Sequence, residues 1–165
     1  MARALLVGCG CRARGLGVQL RDEGWQVRGT TRDPGRAAEI EAAGIEPAVA
    51  EPDRVGTVLD HVADVTVVGW LLASAEGEAD SVRALHGPRL ERMCEELVDT
   101  PVRGIVYEGA GPVPAEVLET GRGVLEEASE RWRIPFEAIE HDPADHDGWT
   151  RAASRAFAKL IAPTG

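Results

Sequence analysis

The stretch that decides the fold is ALLVGCGCRARGLGVQL, Ala4–Leu20. An apolar run stops at Gly8, a second glycine follows at Gly10, and a segment then opens that carries Leu16 and Leu20 at helical spacing. A short apolar run bounded by glycine suits a strand buried on both faces. The first glycine permits a tight turn, the second lets a ligand approach the backbone, and a small residue at Ala13 lets the helix pack on the strand. Gly8, Gly10 and Ala13 therefore spell G-x-G-x-x-A between a strand and a helix. Cys11 and Arg12 fill the turn where free N–H groups and the positive end of the helix dipole attract phosphate. Cys9-Gly-Cys11 has no second cysteine pair or neighbouring His, so no metal is expected there. Cys11 beside a helix start is read as a small loop residue rather than a reactive thiol.

The alternation continues along the chain. The periodicity predicts strands over Arg3–Val7, Gln26–Thr31, Glu46–Ala50, Asp64–Leu72, Val102–Tyr107 and Ile134–Ile139. Helices are predicted over Ala13–Glu23, from Asp33-Pro34 to about Ala43, and over Asp53–His61, Arg89–Val98, Pro114–Arg131 and Trp149–Ile161. Gly24, Gly44 and Gly87-Pro88 supply stop and start signals, and Asp33-Pro34 is a cap followed by a first-turn proline. Ala73–Ser81 reads as a small polar loop suited to a flap. Strand and helix alternating with short connections mean an α/β fold, a doubly wound parallel sheet of about six strands in the order 3-2-1-4-5-6. The expectation is a single domain over residues 1–165, with no repeat or linker.

The end of the second strand sets the ligand preference. Dinucleotide sites that prefer NAD place an acidic residue there for the ribose 2′-hydroxyl. This chain has Thr30, Thr31 and Arg32 instead. A carboxylate would repel a 2′-phosphate, whereas two hydroxyls and a guanidinium would bind one. Arg12 offers a second positive charge. The expected cofactor is NADP(H), with NAD less favoured.

Composition narrows the partners. A formal net charge of -10 argues against nucleic acid and anionic membrane, both of which need a basic footprint. Three cysteines form no disulfide framework, and the apolar run near the start breaks at Gly8, so a cytoplasmic protein is expected. Lys159 is the only lysine and Tyr107 the only tyrosine.

LLVGCGCRARGLGVQL with WQVRGTTRDPGRAAEIEAAGIEPAVAEPD resembles the atypical short-chain dehydrogenase/reductase superfamily, NAD-dependent epimerase/dehydratase-like proteins in particular. The likeness is good over about Ala4–Leu72 and loose beyond. It implies a Rossmann fold with the nicotinamide past the fourth and fifth strands. It maps Gly8, Gly10 and Ala13 to the glycine motif and Arg32 to the 2′-phosphate, and puts Trp70, Leu71 and Leu72 beside the adenosine and nicotinamide ribose. It also implies a homodimer through the fourth and fifth helices. The chain departs from the family where chemistry occurs. Active members carry Tyr-x-x-x-Lys and a Ser or Thr ending the fifth strand, and here Tyr107 is followed by Gly111, with no hydroxyl in the remainder of the YEGAG stretch.

Other acid/base candidates stand by position only. Glu108 follows the fifth predicted strand, and His141 and His146 lie in EHDPADHDGW after the sixth. The spacing of those two histidines matches no common metal site. A methyltransferase reading fails on Val7 and Thr30–Arg32, where acidic residues belong. Three readings stay open: an NADP(H)-binding protein that senses or carries the nucleotide without redox turnover, a small reductase or epimerase-like enzyme with non-standard acid/base groups, and a structural domain that has lost its ligand. The absent Tyr-x-x-x-Lys disfavours the second, and the intact glycine turn with Arg32 disfavours the third.

Overall fold

A computed structural model describes residues 2–162. Six strands form one parallel sheet: β1 (Arg3–Val7), β2 (Gln26–Thr31), β3 (Glu46–Val49), β4 (Val67–Trp70), β5 (Gly104–Glu108) and β6 (Phe136–Ile139). Their order is β3-β2-β1-β4-β5-β6, as the alternation predicts. The chain winds from β1 outward to β3, then returns to β4 and winds the other way. The order reverses between β1 and β4, and a crevice opens there at the carboxyl ends of the strands. Register fixes the crevice floor, with Val7 beside Trp70 and Trp70 beside Tyr107.

Side chains alternate across the sheet, so the central strands β1, β4 and β5 each feed two cores. Leu5, Val7, Val68, Trp70, Ile105 and Tyr107 face one layer of helices: α3 (Val55–Leu59), α4 (Ala79–His86), α5 (Pro88–Leu97) and α6 (Ala115–Trp132). Ala4, Leu6, Val27, Val67 and Val106 face the other: α1 (Cys11–Asp22), α2 (Ala37–Ala42) and α7 (His146–Ile161). Burial on both sides explains why the central strands β1 and β4 read as continuous apolar runs.

Several predicted boundaries move. Helix α1 starts at Cys11, not Ala13, so the glycine turn is tighter than expected. The predicted second helix opens as a 3-10 turn over Pro34–Arg36, and Asp33 caps it by accepting the Gly35 N–H at 2.9 Å. Strand β4 is four residues: at its start Asp64 is held in ion pairs with Arg3 and Arg28 before pairing begins, and its end falls two residues short of Leu72. Strand β5 extends through Glu108, which is therefore a strand residue rather than the start of a loop. Helix α7 begins at His146, three residues early, because Asp145 accepts the Gly148 N–H and caps it. Helix α4 takes the last three residues of the expected flap, Ala79–Ser81, and continues to His86 over residues for which no element is expected: Val82, Leu85 and His86 are buried at helical spacing. Among the described residues no helix is long and apolar enough to cross a membrane.

Candidate functional site

The glycine turn is built by its neighbours. Gly8 sits at φ 90°, a left-handed conformation that side chains resist, and a Cβ there would lie 2.6 Å from the Leu71 carbonyl oxygen. The Gly8 N–H donates to the Thr30 hydroxyl at 3.2 Å, and the Cys9 N–H to the Thr30 carbonyl at 3.1 Å. The turn is thus locked to β2 on one side and to the end of β4 on the other. Above Gly10 the space is open, with nothing within 4 Å of the position a Cβ would take. Ala13 is buried against the sheet, so α1 lies close behind the turn.

A cavity of about 810 Å³ opens beside this turn. Gly8, Gly10, Thr30, Thr31, Arg32, Leu71 and Leu72 all line it. So do Arg36, Asp53 and Ser81, none of which the sequence reading singled out. Arg36 was findable, because it lies four residues after Arg32, on the turn that the Asp33-Pro34 cap announces. The roles differ within this wall. Thr30 is buried and spends its hydroxyl on Gly8. Thr31 holds Asp33 by accepting its N–H and donating to its carbonyl, each at 3.2 Å. Arg32 and Arg36 are exposed and face the cavity among the carboxylates Asp33, Asp53, Glu76 and Glu78. Asp33 is engaged with Gly35.

Four members of the expected set do not line this cavity: Ala13 packs behind the turn, and Trp70, Cys11 and Arg12 lie elsewhere. Trp70 is fully buried in the layer beneath α4 and donates its indole N–H to the Leu85 carbonyl at 3.0 Å, so it is a core residue rather than a wall of the crevice. Cys11 is exposed at the start of α1, in a separate depression with Gln19, His146 and Arg151.

Arg12 turns away from the cavity that Arg32 lines. Its Nε and Nη2 donate to one oxygen of Glu108, at 3.0 and 2.6 Å, and Nη2 also donates to the Ser74 hydroxyl at 2.9 Å. Its guanidinium lies over the Trp149 ring, 5.1 Å from the centroid. The reason is Glu108, which is fully buried at the end of a central strand and needs a counter-charge. The other Glu108 oxygen accepts the Ala73 N–H at 2.9 Å. Burial raises the Glu108 carboxyl above its ordinary range, against the lowering pull of Arg12. Both Glu108 oxygens are thus engaged, one by Arg12 and the other by the Ala73 N–H.

The remaining candidates do not converge on it. His141 is exposed and tied to Asp145 at 2.8 Å, and His146 is exposed on the first turn of α7. Tyr107 is fully buried, its hydroxyl 2.7 Å from His86 Nδ1 and 3.2 Å from the Leu118 carbonyl. His86 Nε2 lies 3.0 Å from the Leu72 carbonyl, which can only accept, so Nε2 carries the proton and Nδ1 accepts from Tyr107. Burial pushes the Tyr107 phenol up and the His86 imidazole down, so both rest neutral. Among the described residues no three His, Cys, Asp or Glu are grouped to hold a metal.

No protein-family model matches the sequence, and no curated protein matches it significantly. Solved structures do match. A Bacillus halodurans protein assigned as an NAD-dependent epimerase/dehydratase is similar with a TM-score of 0.67 and 16% identity, over 84% of this chain and 69% of that one. Triphenylmethane reductase from Citrobacter sp., solved with NADP(H), gives 0.63 and 16% over 82% of this chain and 48% of its own. A short-chain dehydrogenase/reductase superfamily protein from Agrobacterium tumefaciens with bound NAD gives 0.65 and 17%, again covering 82% and 48%. The chain thus spans about half the length of the last two. The likeness is one of fold: the chain has the Rossmann architecture of the NAD-dependent epimerase/dehydratase and short-chain dehydrogenase/reductase proteins.

Proposed function

We propose that the chain is an NADP(H)-binding protein that senses or carries the nucleotide without the acid/base chemistry of short-chain dehydrogenases. The observation that carries this is the pairing of an open glycine turn with two exposed arginines, Arg32 and Arg36, in one cavity. The last residue of β2 is Thr31, not a carboxylate, and Asp33, the first carboxylate after it, is engaged by the Gly35 N–H. Two guanidiniums are the right donors for a 2′-phosphate. That triphenylmethane reductase was solved with NADP(H) supports the preference, while NAD in the Agrobacterium protein shows that the fold alone does not dictate it. Absence of turnover is supported by the burial of Tyr107 and the engagement of Glu108.

The proposal includes a cytoplasmic, one-domain protein, in keeping with three unpaired cysteines. A homodimer through α5 and α6 belongs to it as well. The outward face of α6 carries Glu116, Glu119, Glu126, Glu127 and Glu130, so such a dimer would be polar and reversible, and light scattering against the 17.6 kDa monomer reads it directly. The ligand test is titration of NADPH and NADH into the protein and its Arg32→Ala variant. NADPH should bind more tightly than NADH, and Arg32→Ala should weaken NADPH by about 10- to 100-fold, the worth of one charge-assisted bond. Equal binding of the two nucleotides, or an Arg32→Ala variant that binds NADPH unchanged, overturns the preference.

A further inference from the structure

The carboxyl edge of the sheet holds two cavities, and Ser74 lines both. One is the arginine-lined cavity beside the glycine turn. The other, about 610 Å³, lies past β4 and β5 and is lined by Arg12, Gly111, Pro112, Glu140 and Asp142 among others. The ground between them is closed from two directions. From α1, Arg12 reaches across to Ser74 and Glu108. From the loop after β5, Val113 donates its N–H to the Ala73 carbonyl at 2.9 Å. Gly111 lies so close to the same carbonyl that a Cβ would fall 2.7 Å from its oxygen. An extended ligand running along the edge from β2 to β5 has to cross the Arg12–Ser74 bridge.

Given nucleotide binding at this edge, on which the inference rests, we propose that the Arg12–Ser74–Glu108 bridge divides the crevice. The lobe between Gly8 and Arg32–Arg36 then recognises the adenosine 2′-phosphate half of the nucleotide alone. The ligand class is adenosine 2′,5′-bisphosphate, and a nicotinamide attached to it adds almost nothing. Arg12 does not swing aside readily, because that would leave a fully buried carboxylate without its counter-charge. Its guanidinium would also leave the Trp149 ring. A protein built this way responds to 2′-phosphorylated nucleotide whatever the oxidation state of the nicotinamide, since the part of the ligand that changes on reduction is not held.

The test is calorimetric titration of adenosine 2′,5′-bisphosphate, NADP+ and NADPH into the full chain. All three dissociation constants should agree to better than about tenfold, the ratio that 1.4 kcal/mol produces. Either dinucleotide binding more than about tenfold tighter than the bisphosphate overturns the division while leaving nucleotide binding intact. Failure of all three to bind overturns nucleotide binding itself, and the division with it. A second arm uses the double variant Arg12→Met/Glu108→Gln, which removes both charges together so that neither is buried alone. In that variant NADPH should gain about tenfold over the bisphosphate, whose own affinity stays where it was. No gain means that the bridge is not the barrier.

Discussion

Arg12→Met strips the counter-charge from Glu108 and should cost far more than its mirror substitution, Glu108→Gln. Removing one partner of a buried ion pair typically costs about 3–5 kcal/mol, because the other charge is left stranded. Here Glu108 is 1% exposed at its side chain and Arg12 is 23% exposed, so water shares part of the arginine's charge already. Glu108 can also escape by taking up a proton. Both effects reduce the loss to about 2–3 kcal/mol at pH 8, or about 6–9 °C in melting temperature for a chain of this size. Glu108→Gln removes the buried charge yet keeps an acceptor for the Ala73 N–H, and Arg12 retains Ser74 and Trp149. It should stay within about 1 kcal/mol of the wild type. The double variant should melt closer to Glu108→Gln than to Arg12→Met, since the stranded charge is gone. The pH sign follows from the raised Glu108 carboxyl. A carboxyl raised by folding contributes stability below its unfolded value and loses it as pH rises through its folded one. The Arg12→Met deficit should therefore be larger at pH 8 than at pH 5. Thermal melts followed by circular dichroism at both pH values decide it. Equal melting of Arg12→Met and wild type at pH 8, or a Glu108→Gln loss as large as that of Arg12→Met, would refute the reasoning.

Two further outcomes follow from the same physics elsewhere in the molecule. Asp64 bonds both Nη atoms of Arg28, which is itself nearly buried, and this holds the Asp64 carboxyl below its ordinary range. Its contribution to stability is full above that range and is lost as pH falls through the lowered folded value, so Asp64→Asn should flatten the fall in melting temperature below about pH 4; an unchanged acid limb would show the pair to be idle. Of the three cysteines only Cys11 is exposed, while burial pushes Cys9 and Cys94 up to about 12. A thiol reagent at pH 8 should label one site in the folded protein and all three in denaturant, and fast labelling of Cys9 would mean that the glycine turn opens.

The sheet was legible because its cause is local. Leu5–Val7 and Val67–Val68 are apolar on both faces, and the first run ends at Gly8, whose left-handed turn closes the strand. The glycine turn was legible for the same reason, since Gly8 takes a left-handed conformation that no other residue adopts as cheaply. What escaped was decided by tertiary pairing. Helix α4 has only eight residues and three buried anchors, too few to stand above a polar loop in composition. Asp64 sits inside an apolar-looking run, yet Arg3 and Arg28, far away in sequence, pull it out of the strand.

The site divides along the same line. Position in a turn fixes where a backbone goes, so Gly8, Gly10, Thr30 and Arg32 fall around one cavity. Position does not fix where a long side chain goes. Arg12 sits on the first turn of α1, next to the glycine turn, but its guanidinium is claimed by a carboxylate 96 residues away. Glu108 makes that claim because β5 lies inside the sheet between β4 and β6, under the loop that carries Gly111 and Val113. No window of sequence around Arg12 contains that fact. The same carboxylate accounts for two departures from the expected arrangement: it draws Arg12 away from the cavity that Arg32 lines, and its own two oxygens are engaged by Arg12 and Ala73. Whether the crevice is one site or two is therefore set by the pairing of Glu108, and a single titration series that compares a half-nucleotide with the whole one reads that pairing out.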